Sequence, residues 1–189
     1  MVRRLCIMLL TASVLVIAGC GGRQQLPIPL PVAYPRPILP DTAMTLCPDA
    51  PLRFLVNADA AVSAPKYGWL DIAYPTLGAT VHVTFTPTDP DRIDAVKDNR
   101  MERLMLNAGD RPTDFAESVN PAGFSVLLAE SEGSLTPLQF LATDDSLWVM
   151  SGAVYFADPA AAASPDSIRP MVRAIRDDLV RALNGIDFQ

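Results

Sequence analysis

The chain has 189 residues, half of them apolar, with 18 prolines, one histidine and three cysteines. A charged fraction of 19% beside that apolar content excludes a disordered chain, and the length suits one domain plus extras. A formal charge of −6 argues against nucleic-acid binding, and one His with three Cys cannot build a zinc cluster or a disulfide-stapled scaffold.

Met1-Val2-Arg3-Arg4 precedes an apolar stretch from Leu5 to Ala18, broken only by Thr11 and Ser13. A basic start and a short apolar run are the parts of a secretory signal, and the run is too short for a comfortable membrane span. It ends in Ile17-Ala18-Gly19-Cys20, which resembles the lipobox of bacterial lipoproteins. The expectation is a signal peptide over residues 1–19, with Cys20 carrying a thioether to diacylglycerol. One myristoyl chain binds a membrane only marginally, at about 0.8 kcal/mol per buried methylene, whereas two or three chains such as palmitate anchor firmly. Removal of residues 1–19 takes Arg3 and Arg4 and moves the charge from −6 to −8. An acidic body on a lipid tail is repelled by anionic headgroups. Cys47 is then the one free thiol, either buried or paired with another chain.

Residues 20–50 are expected to form a lipidated tether and residues 51–189 a single domain. Eight prolines (Pro27, Pro29, Pro31, Pro35, Pro37, Pro40, Pro48 and Pro51) fall between Gly21 and Pro51, so neither a helix nor a sheet ladder can run through that stretch. Polyproline II is the expected state. Tyr34-Pro35-Arg36-Pro37 sets an aromatic ring and a guanidinium on this stiff scaffold, which makes Tyr34, Pro35, Arg36 and Pro37 candidate partner contacts beside the plain spacer reading.

Within the domain, Trp69–Tyr74 reads as a strand and Leu77-Gly78-Ala79 as a tight turn. Thr80–Thr86 returns as a second strand, with Val81, Val83 and Phe85 on one face and Thr80, His82, Thr84 and Thr86 on the other. Thr88-Asp89-Pro90-Asp91 signals a helix start, and the helix runs to about Leu106. Strands follow at Phe124–Glu130, Leu138–Thr143 and Leu147–Phe156, with a turn at Thr143-Asp144-Asp145-Ser146 and a bulge marked by Gly152. Ser167 is the expected cap of a final helix whose apolar stripe is Ile168, Met171/Val172, Ile175, Leu179 and Leu183. The fold class is α+β, a mainly antiparallel sheet of about five strands with a central helix and a long C-terminal helix. A PsbP-like αβα sandwich is one form of it.

No motif for catalysis, phosphate binding or a metal stands out, so neither cofactor nor metal is expected. His82 lies on a hydroxyl-rich strand face and reads as a solvated or hydrogen-bonded side chain. Asp144-Asp145 reads as turn chemistry, and Asp177-Asp178 as solvated surface beside Arg176 and Arg181. An Asp/Glu hydrolase would need two carboxylates converging in one cleft.

Tyr34-Pro35-Arg36-Pro37, Cys47-Pro48 and Trp69-Leu70-Asp71-Ile72 are followed by Pro137-Leu138-Gln139-Phe140, Thr143-Asp144 and Ser151-Gly152-Ala153-Val154-Tyr155-Phe156. Asp166-Ser167-Ile168-Arg169-Pro170 and Ile175-Arg176-Asp177-Asp178 complete the order. This succession behind a lipobox resembles the gliding-motility-associated lipoprotein GldD family. The resemblance implies a non-enzymatic, periplasm-facing lipoprotein on either membrane that serves the gliding and type IX secretion machinery. Its partners would be membrane lipid through acylated Cys20 and other envelope proteins, with no nucleic acid. The family pattern is expected to place Cys before the Trp-Leu pair, where this chain has Gly68. The alternative reading is a periplasmic ligand-binding module of PsbP-like type.

Overall fold

The computed structural model describes residues 38–158 and 164–188. In chain order these contain β1 (Met44–Leu46), β2 (Leu55–Asn57), β3 (Ala61–Lys66), β4 (Trp69–Tyr74), β5 (Ala79–Pro87) and α1 (Ile93–Ala108). After them come β6 (Asp114–Val119), β7 (Ser125–Glu130), β8 (Leu138–Thr143), β9 (Trp148–Phe156) and α2 (Pro165–Asn184). The main sheet has seven strands in the order β3-β4-β5-β9-β8-β7-β6, each pair antiparallel, and β1 pairs with β2 in a separate ladder. The α+β class holds, and all five expected strands are present within a residue or so. The sheet is wider because β3 and β6 join its two edges.

Alternation places the layers. Val81, Val83 and Phe85 of β5 share a face with Leu70 and Ile72 of β4, Phe140 of β8, and Met150 and Val154 of β9. That face is closed by α2 through Ile168, Ile175, Leu179 and Leu183, all buried and spaced four or seven residues apart. Burying each such side chain is worth about 1.5–3 kcal/mol. Phe54, just before β2, joins the same core edge-on to Phe85 at 5.6 Å. On the opposite face α1 packs Ile93 against Leu141 and Val149, and the buried Gln139 of β8 donates to the Leu104 carbonyl and accepts from Asn107. The smaller of the two clusters lies under α1 and the larger under α2.

Three local expectations change. Gly152 is not a bulge: its pairing with Val83 and Phe140 is regular, and a Cβ there would stand 2.3 Å from a Phe140 ring carbon. Glycine is needed because the ring occupies that space. The central helix begins at Ile93, after a turn in which Arg92 and Ile93 both donate to the Asp89 carbonyl, so Pro90 lies in the turn. The last helix begins at Pro165 rather than after Ser167. Ser167 belongs to its first turn and donates its N–H and hydroxyl to the Ser164 carbonyl. Pro170 is thus inside the helix, on its exposed side, where the Asp166 carbonyl loses its helical donor to the ring.

The β4–β5 connection behaves as expected: a short 3₁₀ turn over Pro75–Leu77 ends in left-handed Gly78, whose N–H returns to the Pro75 carbonyl. The β8–β9 turn is organised by Asp144. Its carboxylate accepts the N–H groups of Ser146, Leu147 and Trp148 at 3.1, 2.9 and 2.8 Å, and the Ser146 hydroxyl at 2.9 Å. Burial alone would push this carboxyl up, but those donors outweigh it and hold it below the usual range.

Two outcomes follow. Gly152→Ala lowers unfolding stability by about 1–3 kcal/mol, and combining it with Phe140→Leu costs less than the sum of the two singles in a denaturant double-mutant cycle. Because the Asp144 carboxyl is depressed by folding, its contribution is complete above the unfolded value of about 4 and fades as pH falls through the folded value. The stability gap between wild type and Asp144→Asn, about 1–2 kcal/mol near neutrality, therefore closes during an acid titration of the unfolding midpoint.

Candidate functional site

The sequence-level candidates Cys20, Tyr34, Pro35, Arg36 and Pro37 lie outside the described residues. What the structure describes is where the chain enters the domain. Leu39, Pro40, Asp41 and Thr42 run beside α2 and bound a groove of about 550 Å³ whose other wall carries Arg169, Arg173, Asp177 and Arg181.

At the floor of that groove is Asp178, only 3% exposed. This overturns its reading as surface: Asp177 is exposed, but Asp178 faces the core. The signal was present, since Asp178 is three residues after Ile175 and four before Ala182, hence on the apolar stripe. Its carboxylate accepts from Asn57 Nδ2 at 2.8 Å, from the Arg181 guanidinium and from the Tyr74 hydroxyl. Asn57 also donates to the Asp41 carbonyl at 2.6 Å and accepts the Asp59 N–H at 2.8 Å. Asp59 in turn accepts the Asp41 N–H at 2.9 Å. Burial, and then the neighbouring Asp178 charge, push the Tyr74 phenol far up, so it remains a donor at any physiological pH. The network ties the entering chain, β2, β4 and α2 together. Accepting from three donors at once, Asp178 fastens these elements to one another.

A second polar feature lies on the α1 side. His82 Nδ1 is 2.6 Å from Asp71 Oδ1 across the β4–β5 ladder, and the side chains are 53% and 36% exposed. The carboxylate selects the tautomer with hydrogen on Nδ1, leaving the lone pair on Nε2. Tyr155 stands edge-on to the imidazole at 5.4 Å. Ser151, Arg100 and Gln139 line the adjoining groove of about 200 Å³. The hydrogen-bonded reading of His82 holds. Asp71 is its one hydrogen-bond partner among the described residues, so no hydroxyl or thiol among them is hydrogen-bonded to the imidazole.

Cys47 is 1% exposed in the main core, and burial pushes its thiol up, partly offset by N–H groups of Asp49 and Ala50. Burial is thus the alternative realised for this cysteine. Gly68 has φ +76°, and a Cβ there would stand 2.7 Å from the Phe85 carbonyl oxygen. A cysteine at that position needs a different β4 entry. Among the described residues no group of three or more His, Cys, Asp or Glu could hold a metal ion. No helix among them is long and apolar enough to cross a membrane.

The two neighbouring aspartates separate sharply by mutation. Asp178→Ala strands the Asn57 and Tyr74 donors and lowers stability by about 2–4 kcal/mol, whereas Asp177→Ala changes it by no more than about 0.5 kcal/mol, both read by urea unfolding.

Two comparisons bear on identity. A methionine–tRNA ligase of Stenotrophomonas maltophilia (strain R551-3) is 30% identical over 105 residues, covering 54% of this chain and 13% of the ligase. The chain thus spans about an eighth of that relative's length, and a match of that extent transfers no activity. The family described as gliding motility lipoprotein GldD matches residues 24–188, from just after the lipobox to the penultimate residue. That stretch holds the candidate contacts at Tyr34–Pro37, the Asp178 network and the His82–Asp71 pair. On this match the chain belongs to the gliding motility lipoprotein GldD family.

Proposed function

We propose that this lipoprotein is a non-enzymatic docking component of the gliding and type IX secretion machinery, held in the cell envelope by acyl chains on Cys20 and facing the periplasm. The family match over residues 24–188 carries the reading. In it, residues 1–19 are the cleaved signal, residues 20–50 a polyproline-rich tether and residues 51–189 the domain. Because residues 39–46 are already held against the domain and in β1, the spacer is residues 21–37, which in polyproline II would hold the domain up to roughly 50 Å from the lipid. Tyr34, Pro35, Arg36 and Pro37 then present a preformed motif to a partner groove at low entropic cost.

The chemistry of the domain supports docking over turnover. Its most buried carboxylate accepts from three donors, and its imidazole–carboxylate pair is open to solvent. A ligand-binding role of PsbP-like type is favoured by an enclosed apolar pocket. The 550 Å³ groove beside α2 is instead edged by charged side chains.

Genetic complementation tests the proposal. A deletion strain loses colony spreading and export of surface adhesins, and wild-type protein restores both. Cys20→Ala, which leaves no acyl acceptor, fails to restore them although the protein accumulates. A Tyr34→Ala, Arg36→Ala double variant remains in membranes but loses co-purifying envelope proteins. Normal spreading and export in the deletion strain would refute the role.

A further inference from the structure

The two edges of the seven-stranded sheet differ in how they are guarded. The β3 edge carries a register break between Ser63 and Lys66, includes Pro65, and ends with the Lys66 ammonium 3.4 Å above the Trp69 ring. A bulge, a proline and a lysine are the devices that stop an edge from pairing. None of them is present in β6. Its six residues, Asp114 to Val119, pair without interruption to β7, include no proline, lysine or arginine, and are all exposed.

The side chains of this edge form a pattern. Phe115, Glu117 and Val119 pair with Ala129, Leu127 and Ser125, and the rows continue to Gln139, Leu141 and Thr143. Those rows are on the α1 side, where Leu141 and Leu127 pack with Ile93 and Met101. Phe115 and Val119 are 47% and 69% exposed. Between Val119 and α1 runs a groove of about 480 Å³ lined by Met101, Val119 and Leu141 together with Lys97, Glu117 and Asp145. Met105, one turn beyond Met101, is also exposed. The nearby carboxylates Asp145 and Glu130 are paired with Lys97 and Arg176. Asp114 and Glu117 have no ion-pair partner among the described residues.

We propose that the β6 edge receives an extended segment of a partner protein as an eighth strand, with an apolar–basic–apolar sequence on its α1-side positions. Main-chain hydrogen bonds to the free edge supply the affinity, and alternate side chains supply the choice of partner. Apolar residues beside Phe115 and Val119 extend the groove contact, and a lysine or arginine beside Glu117 meets an unpaired charge. A chain of net charge −6 is a poor partner for its own acidic edge, which favours a different, basic segment over a second copy. This inference concerns the domain alone and does not depend on the envelope role proposed above.

The test uses detergent-solubilised full-length protein and two labelled synthetic peptides. Both alternate threonine on one face with valine, a central residue and valine on the other; the centre is lysine in one and glutamate in the other. Fluorescence anisotropy is expected to show binding of the lysine peptide, preferred over the glutamate peptide by about tenfold, and amide exchange to slow in β6. Glu117→Lys, an exposed substitution whose thermal midpoint is checked in parallel, reverses the preference, and Val119→Lys weakens both peptides. Absence of binding, protection located away from β6, or an unchanged preference in Glu117→Lys would overturn the proposal. So would self-association in sedimentation that Val119→Lys abolishes, because the edge would then belong to a second copy.

Discussion

One face of a broad antiparallel sheet has to be closed, and the closure is made by a helix that buries a carboxylate along with its aliphatic stripe. Ile168, Ile175, Leu179 and Leu183 provide the apolar contact. Asp178, on the same stripe, sets where the helix lies, because it must meet Asn57 and Tyr74 together while Arg181 of its own helix completes its pairing. Aliphatic packing tolerates small slides, whereas a buried charge with three donors does not. Asn120 fixes the other end of α2 by donating to the Leu183 and Ile186 carbonyls. The chain entering at residues 39–42 is held to the domain through Asp41, Asn57 and Asp59.

Much of this architecture was legible in the residues because it rests on period and turn chemistry. The clean alternation of Val81, Val83 and Phe85 with Thr80, His82 and Thr84 marks β5, and the β4–β5 turn follows from Gly78. The edge strands were not legible. β3 contains a proline and no alternation, and β6 is exposed throughout, so neither leaves an apolar pattern. Three-residue β1 and β2 are too short for any periodicity and depend on tertiary pairing. Helix starts shifted because capping residues recur: Ser164 and Ser167 both fit the pattern, and the turn at Asp89 imitates a cap.

The candidate site divides in the same way. The proposed lipid and partner residues rest on motifs alone, an apolar run ending in Cys20 and an aromatic-proline-arginine segment, and lie outside the described residues. Asp178 departs from the surface position expected beside Arg176 and Arg181 because position on the helical face, three residues after Ile175, decides burial. The His82–Asp71 contact depends on strand register, which no local pattern encodes. Gly68 and Gly152 illustrate a further limit. Each is required by an atom distant in sequence, the Phe85 carbonyl in one case and the Phe140 ring in the other.

The central proposal is that this lipoprotein-family domain is held in the envelope by acyl chains on Cys20. Mass spectrometry of the N-terminal peptide from the membrane fraction tests it most directly. The account predicts a peptide beginning at Cys20, lacking residues 1–19 and carrying a diacylglyceryl thioether. An unmodified Cys20, or a peptide that still contains Met1–Gly19, would contradict it.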